Sequence, residues 1–282
     1  MRKVNYILYL LIMLSLGRIS AQDEISIYSN DDQIKLSAVA EIGFLGVLDH
    51  KIQFGQNGTY LNYVKEGGQN TLFPVTRLSL ELEFKKKNTF VFLYQPLTIK
   101  TTALLSEDLI VDNLTYPAGS GVDFLYNFPF YRLSYMRELL SDNEKYSFGI
   151  GGTIQIRNAT ISFESTDGER FRTNTDIGIV PALKIRGRSN FTDRFYGEIE
   201  ADGIYAPVSY LNGSTNEIVG AILDASVRAG YKIENHVNTF LNVRYLGGGA
   251  VGTSSDDSGP GDGYTRNWLH FITVSTGFVY EF

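Results

Sequence analysis

The sequence has 282 residues, with 25 Lys and Arg against 31 Asp and Glu, a formal charge of −6. It contains no Cys and three His, which excludes disulfides, thiolate zinc sites and a catalytic thiol and leaves few donors for a histidine metal site. Mean hydropathy is −0.09, and after the first residues no apolar run reaches the roughly 18–20 needed for a membrane helix.

Arg2 and Lys3 precede an apolar run from Tyr6 to Leu16, and Arg18-Ile19-Ser20-Ala21 then offers a small residue for cleavage. This predicts a secretory signal peptide over residues 1–21, removed after Ala21, and a short segment at 22–33 before the body of the chain at 34–282. An uncleaved anchor helix would need a longer run. Cleavage would remove Arg2, Lys3 and Arg18 but no acid, leaving 22 basic and 31 acidic residues, net −9. That balance argues against a nucleic-acid partner.

The body alternates with period two. Between 34 and 47, Ile34, Leu36, Ala38, Ala40, Ile42 and Phe44 share one face, with Lys35, Ser37, Glu41 and Gly43 opposite. Between 76 and 84, Leu78, Leu80, Leu82 and Phe84 oppose Arg77, Ser79, Glu81 and Glu83. A strand at 89–102 follows. The next, at 122–136, starts with Val122, Phe124, Tyr126 and Phe128 on one face and changes to Tyr131, Leu133 and Tyr135, which predicts a bulge at Pro129. Further strands are expected at 146–156, 176–188, 195–205, 218–233, 239–245 and 269–282. Ten strands result, most of them longer than the five or six residues usual in globular sheets and long enough to cross a bilayer at a tilt.

The connections alternate too. Those at 85–88, 139–145, 189–193 and 234–238 are short, and those at 48–73, 103–121, 164–173, 207–216 and 247–268 are long. Regular alternation of tight and long connections predicts a closed, antiparallel, up-and-down transmembrane β-barrel of about ten strands with both ends on one side. A secreted β-sandwich is the alternative fold.

The last strand places Val274, Thr276, Phe278, Tyr280 and Phe282 at two-residue steps and ends on the aromatic ring. This pattern resembles the terminal signature of bacterial outer-membrane β-barrel proteins, a likeness that the leader, the amphipathic strands and the loop alternation extend over the whole chain. It implies an outer-membrane location, contact with outer-membrane lipid, and recognition of Val274, Phe278, Tyr280 and Phe282 by the barrel-assembly machinery. It points to no subfamily.

The face opposite the apolar one carries Arg77, Glu81, Glu83, Arg157, Lys184, Arg186, Arg188, Glu198, Glu200, Asp202, Asp224, Arg228, Arg244 and Glu281. Lys184, Arg186 and Arg188 lie across a hairpin from Glu198, Glu200 and Asp202, and opposite charges on neighbouring strands predict an ion-pair network filling the lumen. The expected role is therefore structural or surface-interactive, through long loops on a plugged, monomeric barrel with no cofactor and no metal. The extracellular partner is not specified by the sequence. The alternatives are a narrow channel for small or amphipathic solutes and a rim hydrolase acting on lipid or peptide. For the hydrolase, His270 near the rim lacks a following His-x-Ser pattern, and no spacing ties His50 to Asp108 or Asp112. The acids between Ser254 and Gly263 lack calcium-loop spacing.

Overall fold

The computed structural model describes residues 34–207, 217–254 and 261–282. The expected leader at 1–21 and the segment at 22–33 lie outside the described residues, as do most of the connection at 207–216 and residues 255–260. The chain runs β1 (Ile34–Phe54), β2 (Leu61–Asn62), β3 (Leu72–Phe84), β4 (Asn88–Gln95), β5 (Thr98–Leu104), β6 (Leu109–Val111), β7 (Leu114–Tyr116), β8 (Gly121–Asn127) and β9 (Phe130–Glu138). It continues through β10 (Tyr146–Ser165), β11 (Phe171–Asn190), β12 (Phe195–Pro207), β13 (Glu217–Glu234), β14 (Val237–Thr253) and β15 (Tyr264–Glu281). Every pairing is antiparallel. β1 joins β15, and β10 joins β11, so the sheet closes on itself. Pro96 divides one stave into β4 and β5, and Pro129 divides the next into β8 and β9, giving ten staves in all. Closure removes the free edges that hydrocarbon does not tolerate.

Along the lower two-thirds of the wall the outward side chains are apolar and exposed, for example Ile42 and Phe44 on β1, Ile150 and Ile154 on β10, and Val274 and Phe278 on β15. Near the top this pattern inverts. After a register shift between Val47 and Asp49, β1 turns Asp49, Lys51 and Gln53 outward and buries His50, Ile52 and Phe54 inside. β10 likewise turns Asn158 outward and buries Ala159, Ile161 and Phe163. The upper barrel thus has a polar exterior around an apolar core, while the lower barrel has an apolar exterior and polar groups inside.

This inversion corrects the bulge expected at Pro129. Thr160 pairs with Asn127 and Arg157 with Phe130, so the register passes Pro129 without a slip. Val122, Phe124 and Tyr126 point inward to the upper core, whereas Tyr131, Leu133 and Tyr135 point outward. The apolar face changes sides while the pleat continues unbroken. The same inversion explains why several strands outrun their expected limits: β1 by seven residues beyond Val47, β10 to Ser165, and β14 to Thr253. Alternation with an apolar outer face stops being visible where the outer face becomes polar. His50, expected in a loop, is for the same reason a buried strand residue.

Glycines on the inner face let rings lie flat against the wall. Gly230 pairs with Tyr196 and Gly277 with Phe240, and in each case a Cβ on the glycine would overlap the ring. Arg188 lies 4.2 Å over Tyr196 and Arg228 3.9 Å over Phe240, so each glycine supports an aromatic ring and a guanidinium above it.

Candidate functional site

The interior is organised in three levels. At mid-height β11 and β12 pair Lys184 with Asp202, Arg186 with Glu200 and Arg188 with Glu198. Lys184 Nζ lies 2.8 Å from Asp202 and 3.3 Å from Glu200. Arg186 bridges Glu200 at 2.8 Å and, across the lumen, Glu81 at 2.7 Å. Arg188 and Arg228 both engage Glu198, at 2.7 and 3.1 Å. Asp224 is held by Arg132 at 2.5 Å and Arg244 at 2.6 Å, with Arg77 at 3.6 Å. Arg77 also donates to Gln95 Oε1 at 3.0 Å. The free space among these side chains is about 20 Å³, room for no more than one water molecule.

Two members of this network, Glu41 and Arg132, were absent from the sequence-derived set. Glu41 accepts from Asn242 Nδ2 at 2.9 Å and Ser275 Oγ at 2.5 Å, and Arg132 donates to Gln155 Oε1 at 2.5 Å. Their positions opposite Ile42 and Leu133 were the available signal. Arg157 and Glu83 stand apart from the mid-level cluster. Arg157 sits higher and pairs with Asp176; Glu83 faces Lys35 in the register and lines the lower cavity.

Above the network lies an aromatic core. The His50 ring is fully buried between Tyr63 and Tyr126, both at 4.6 Å between centroids, with Phe271 at 5.7 Å. Its Nδ1 is 2.8 Å from Gln69 Oε1 and its Nε2 3.2 Å from Asn267 Oδ1. Phe124 and Phe163 complete the cluster, and Tyr116 donates to the Phe163 carbonyl at 2.9 Å. The β6–β7 hairpin caps this core: Asp112 N–H donates to the Phe54 carbonyl at 3.0 Å, and Thr59 N–H to that of Ile110 at 2.8 Å. Asp112 has a φ of 54° at the hairpin tip, and burial raises its carboxyl above the usual range against the pull of Arg172. The last loop is tied to the first where Asp262 accepts the Gln56 N–H at 2.8 Å, and it also accepts the Tyr264 N–H at 3.0 Å.

Below the network a cavity of about 260 Å³ opens at the end bearing the short turns, bordered by Lys35, Glu83, Lys86, Glu138, Arg188 and Glu281. Its lining includes Glu81, Arg186, Glu198 and Arg228 of the ion-pair network.

The residues weighed for hydrolysis are engaged elsewhere. His270 is on the outward face, its Nδ1 2.5 Å from the Tyr245 hydroxyl, next to Trp268. Asp108 accepts the Ala118 N–H at 2.7 Å, and Asp112 faces Arg172. Exposed His236 sits in a short turn with Nδ1 3.1 Å from the Glu281 carbonyl oxygen. Among the described residues no group of three His, Asp or Glu is placed to hold a metal ion. Val274, Phe278, Tyr280 and Phe282 form an exposed outward row along the last strand.

No protein-family model matches the chain, and no curated protein matches it. Among solved structures it is similar to the outer membrane protease OmpT from Escherichia coli, with 13% identity, 88% of this chain and 97% of that chain covered, and a TM-score of 0.48. A Pseudomonas aeruginosa FadL homologue matches at 8% identity over 89% and 90% of the two chains, TM-score 0.39. Ail, the attachment invasion locus protein of Yersinia pestis, matches at 11% over 87% and 99%, TM-score 0.33. The chain is a closed ten-strand antiparallel β-barrel whose structural neighbours are bacterial outer-membrane barrels, without a narrower subfamily.

Proposed function

We propose that this protein is an outer-membrane β-barrel exported by a cleaved leader, with a self-plugged lumen and with its capped, loop-bearing end as the working surface. The observation that carries the reading is double occlusion: the mid-level ion pairs leave about 20 Å³, and the aromatic core above them is sealed by the β6–β7 hairpin. Mixed charges that neutralise one another fill a barrel better than they line a pore. The outward apolar wall supports placement in lipid. In this reading the barrel acts as a monomer, performs no hydrolysis, and is recognised for assembly through Val274, Phe278, Tyr280 and Phe282. The test is solute flux into proteoliposomes containing the folded protein. Swelling rates in small sugars should match those of protein-free vesicles; rates graded by solute size would replace this reading with the narrow channel.

A further inference from the structure

Among the described residues the ladder around the wall is interrupted in two places, one of them between β11 and β12. β11 and β12 pair from Asn190↔Tyr196 up to Leu183↔Gly203, and there the ladder stops. Both strands continue: β11 remains paired to β10, and β12 remains paired to β13 as far as Pro207. Among the described residues, 179–182 of β11 and 204–207 of β12 therefore face each other unpaired. The outward residues beside the seam are strongly apolar and exposed, Ile179 at 70%, Leu183 at 75% and Tyr205 at 73%.

The sequence on these edges is suited to staying open. Continuing the register of Leu183↔Gly203 would set Pro181 opposite Tyr205 and Pro207 opposite Ile179. Each step would present a proline, which has no N–H for a ladder and is tolerated only on an edge. The same prolines lower the cost of the open seam, because there is no donor at those positions to leave unpaired in hydrocarbon.

The interior behind the seam is also different. The aromatic core draws buried residues from β1, β2, β3, β5 to β10, β14 and β15, with Ile222 of β13 packed against it, but none from β11 or β12. Val180, Ala182 and Ile204, which point inward beside the seam, are only half-buried. On the opposite side β3 and β5 also part above Leu78↔Tyr94, but there Phe73, Val75, Leu97 and Ile99 are packed into the core. Only the β11–β12 seam combines an unpaired edge, an apolar exterior and an unpacked apolar lining among the described residues.

We propose that the β11–β12 seam is a lateral opening that receives an acyl chain of the surrounding bilayer lipid, lodged against Val180, Ala182 and Ile204. The inference rests on the membrane placement proposed above, and its test separates the two. The chain has no cysteine, so single-Cys variants carrying a nitroxide report one site each. Ile179→Cys reads the outward belt, Ala182→Cys and Val180→Cys read the inward side of the seam, and Val91→Cys reads the inward side of a closed part of the wall. In proteoliposomes the label at Ala182 should collide with oxygen, which concentrates in hydrocarbon, at a rate close to that at Ile179 and several-fold above that at Val91. Its collisions with a water-soluble nickel chelate should be few. Val180→Cys gives the same reading if Ala182→Cys does not fold. Oxygen collisions at both seam sites as rare as at Val91 would overturn the opening, and dominant nickel collisions there would show a water-filled crevice instead. Nickel rather than oxygen collisions at Ile179 itself would overturn the membrane placement and the inference with it.

Discussion

Replacing Asp224 with asparagine removes one negative charge from the most heavily shared acid in the lumen while preserving its size. Its oxygens hold Arg132 at 2.5 Å and Arg244 at 2.6 Å, with Arg77 at 3.6 Å. The side chains of Arg132 and Arg244 are 3% exposed. Removing one partner from a buried ion pair costs about 3–5 kcal/mol, because the remaining charge stays buried without compensation. Here the loss is tempered: Arg132 lies 3.8 Å from Asp202 and Arg244 4.0 Å from Glu200, so both keep a second acid within reach. The Asp224→Asn variant should therefore lose about 3 kcal/mol, the lower end of that range. Urea unfolding in detergent micelles, followed by the folded-to-unfolded shift in unboiled gels, reads this as a lower midpoint at unchanged slope. Glu83→Gln, in the open lower cavity, serves as the control and should change stability by less than about 0.5 kcal/mol. A loss below about 1 kcal/mol for Asp224→Asn, the range of exposed pairs, would mean that the lumen is hydrated and the packed network is not what closes it.

Phe271→Ala, at a fully buried ring in contact with His50 and Tyr126, should cost about 3–5 kcal/mol in the same assay. Gly230→Ala should cost about 1–3 kcal/mol by displacing Tyr196 and the Arg188 stacked on it. Gly152→Ala, where an added Cβ meets only the Ala182 carbonyl oxygen at 3.7 Å, should cost less; equal losses would dismiss the glycine-supported stack. Lys86 has a φ of 55° in the β3–β4 turn, so Lys86→Gly should raise stability by about 0.5–1 kcal/mol, seen as a higher urea midpoint. The Asp262 carboxyl is held below its usual range by the N–H groups of Gln56 and Tyr264. Its contribution to anchoring the loop is therefore present above the ordinary carboxylate range and disappears as pH falls through the lowered value. Protease nicking of that loop should increase on acidification in the parent but be pH-independent in Asp262→Asn.

The strand pattern was legible because one rule, an apolar outer face opposite a polar inner one, runs along the lower part of the wall. Alternation with an apolar outer face gave the strands, their number and the pairing of Lys184, Arg186 and Arg188 with Asp202, Glu200 and Glu198. What was not legible follows from a change of environment along single strands. Nothing local distinguishes Val122, Phe124 and Tyr126, which face a core, from Tyr131, Leu133 and Tyr135, which are exposed on the outer face. The sequence pattern therefore predicts a bulge where the register runs through without one. His50 was misplaced for the same reason, and the meeting of Arg186 with Glu81 across the lumen depends on barrel closure, which no pairwise spacing encodes. The open seam is the opposite case. Pro181 and Pro207 are visible in the sequence, but their meaning appears only when the register places both on facing edges.

The measurement that bears most directly on the self-plugged barrel is single-molecule conductance in planar bilayers, comparing the parent protein with Asp224→Asn. The account predicts a flat trace for the parent, since ion pairs and an aromatic core block the lumen in series, and at most brief, irregular openings for the variant, whose upper core remains. Stable, discrete conductance steps in the parent would contradict it.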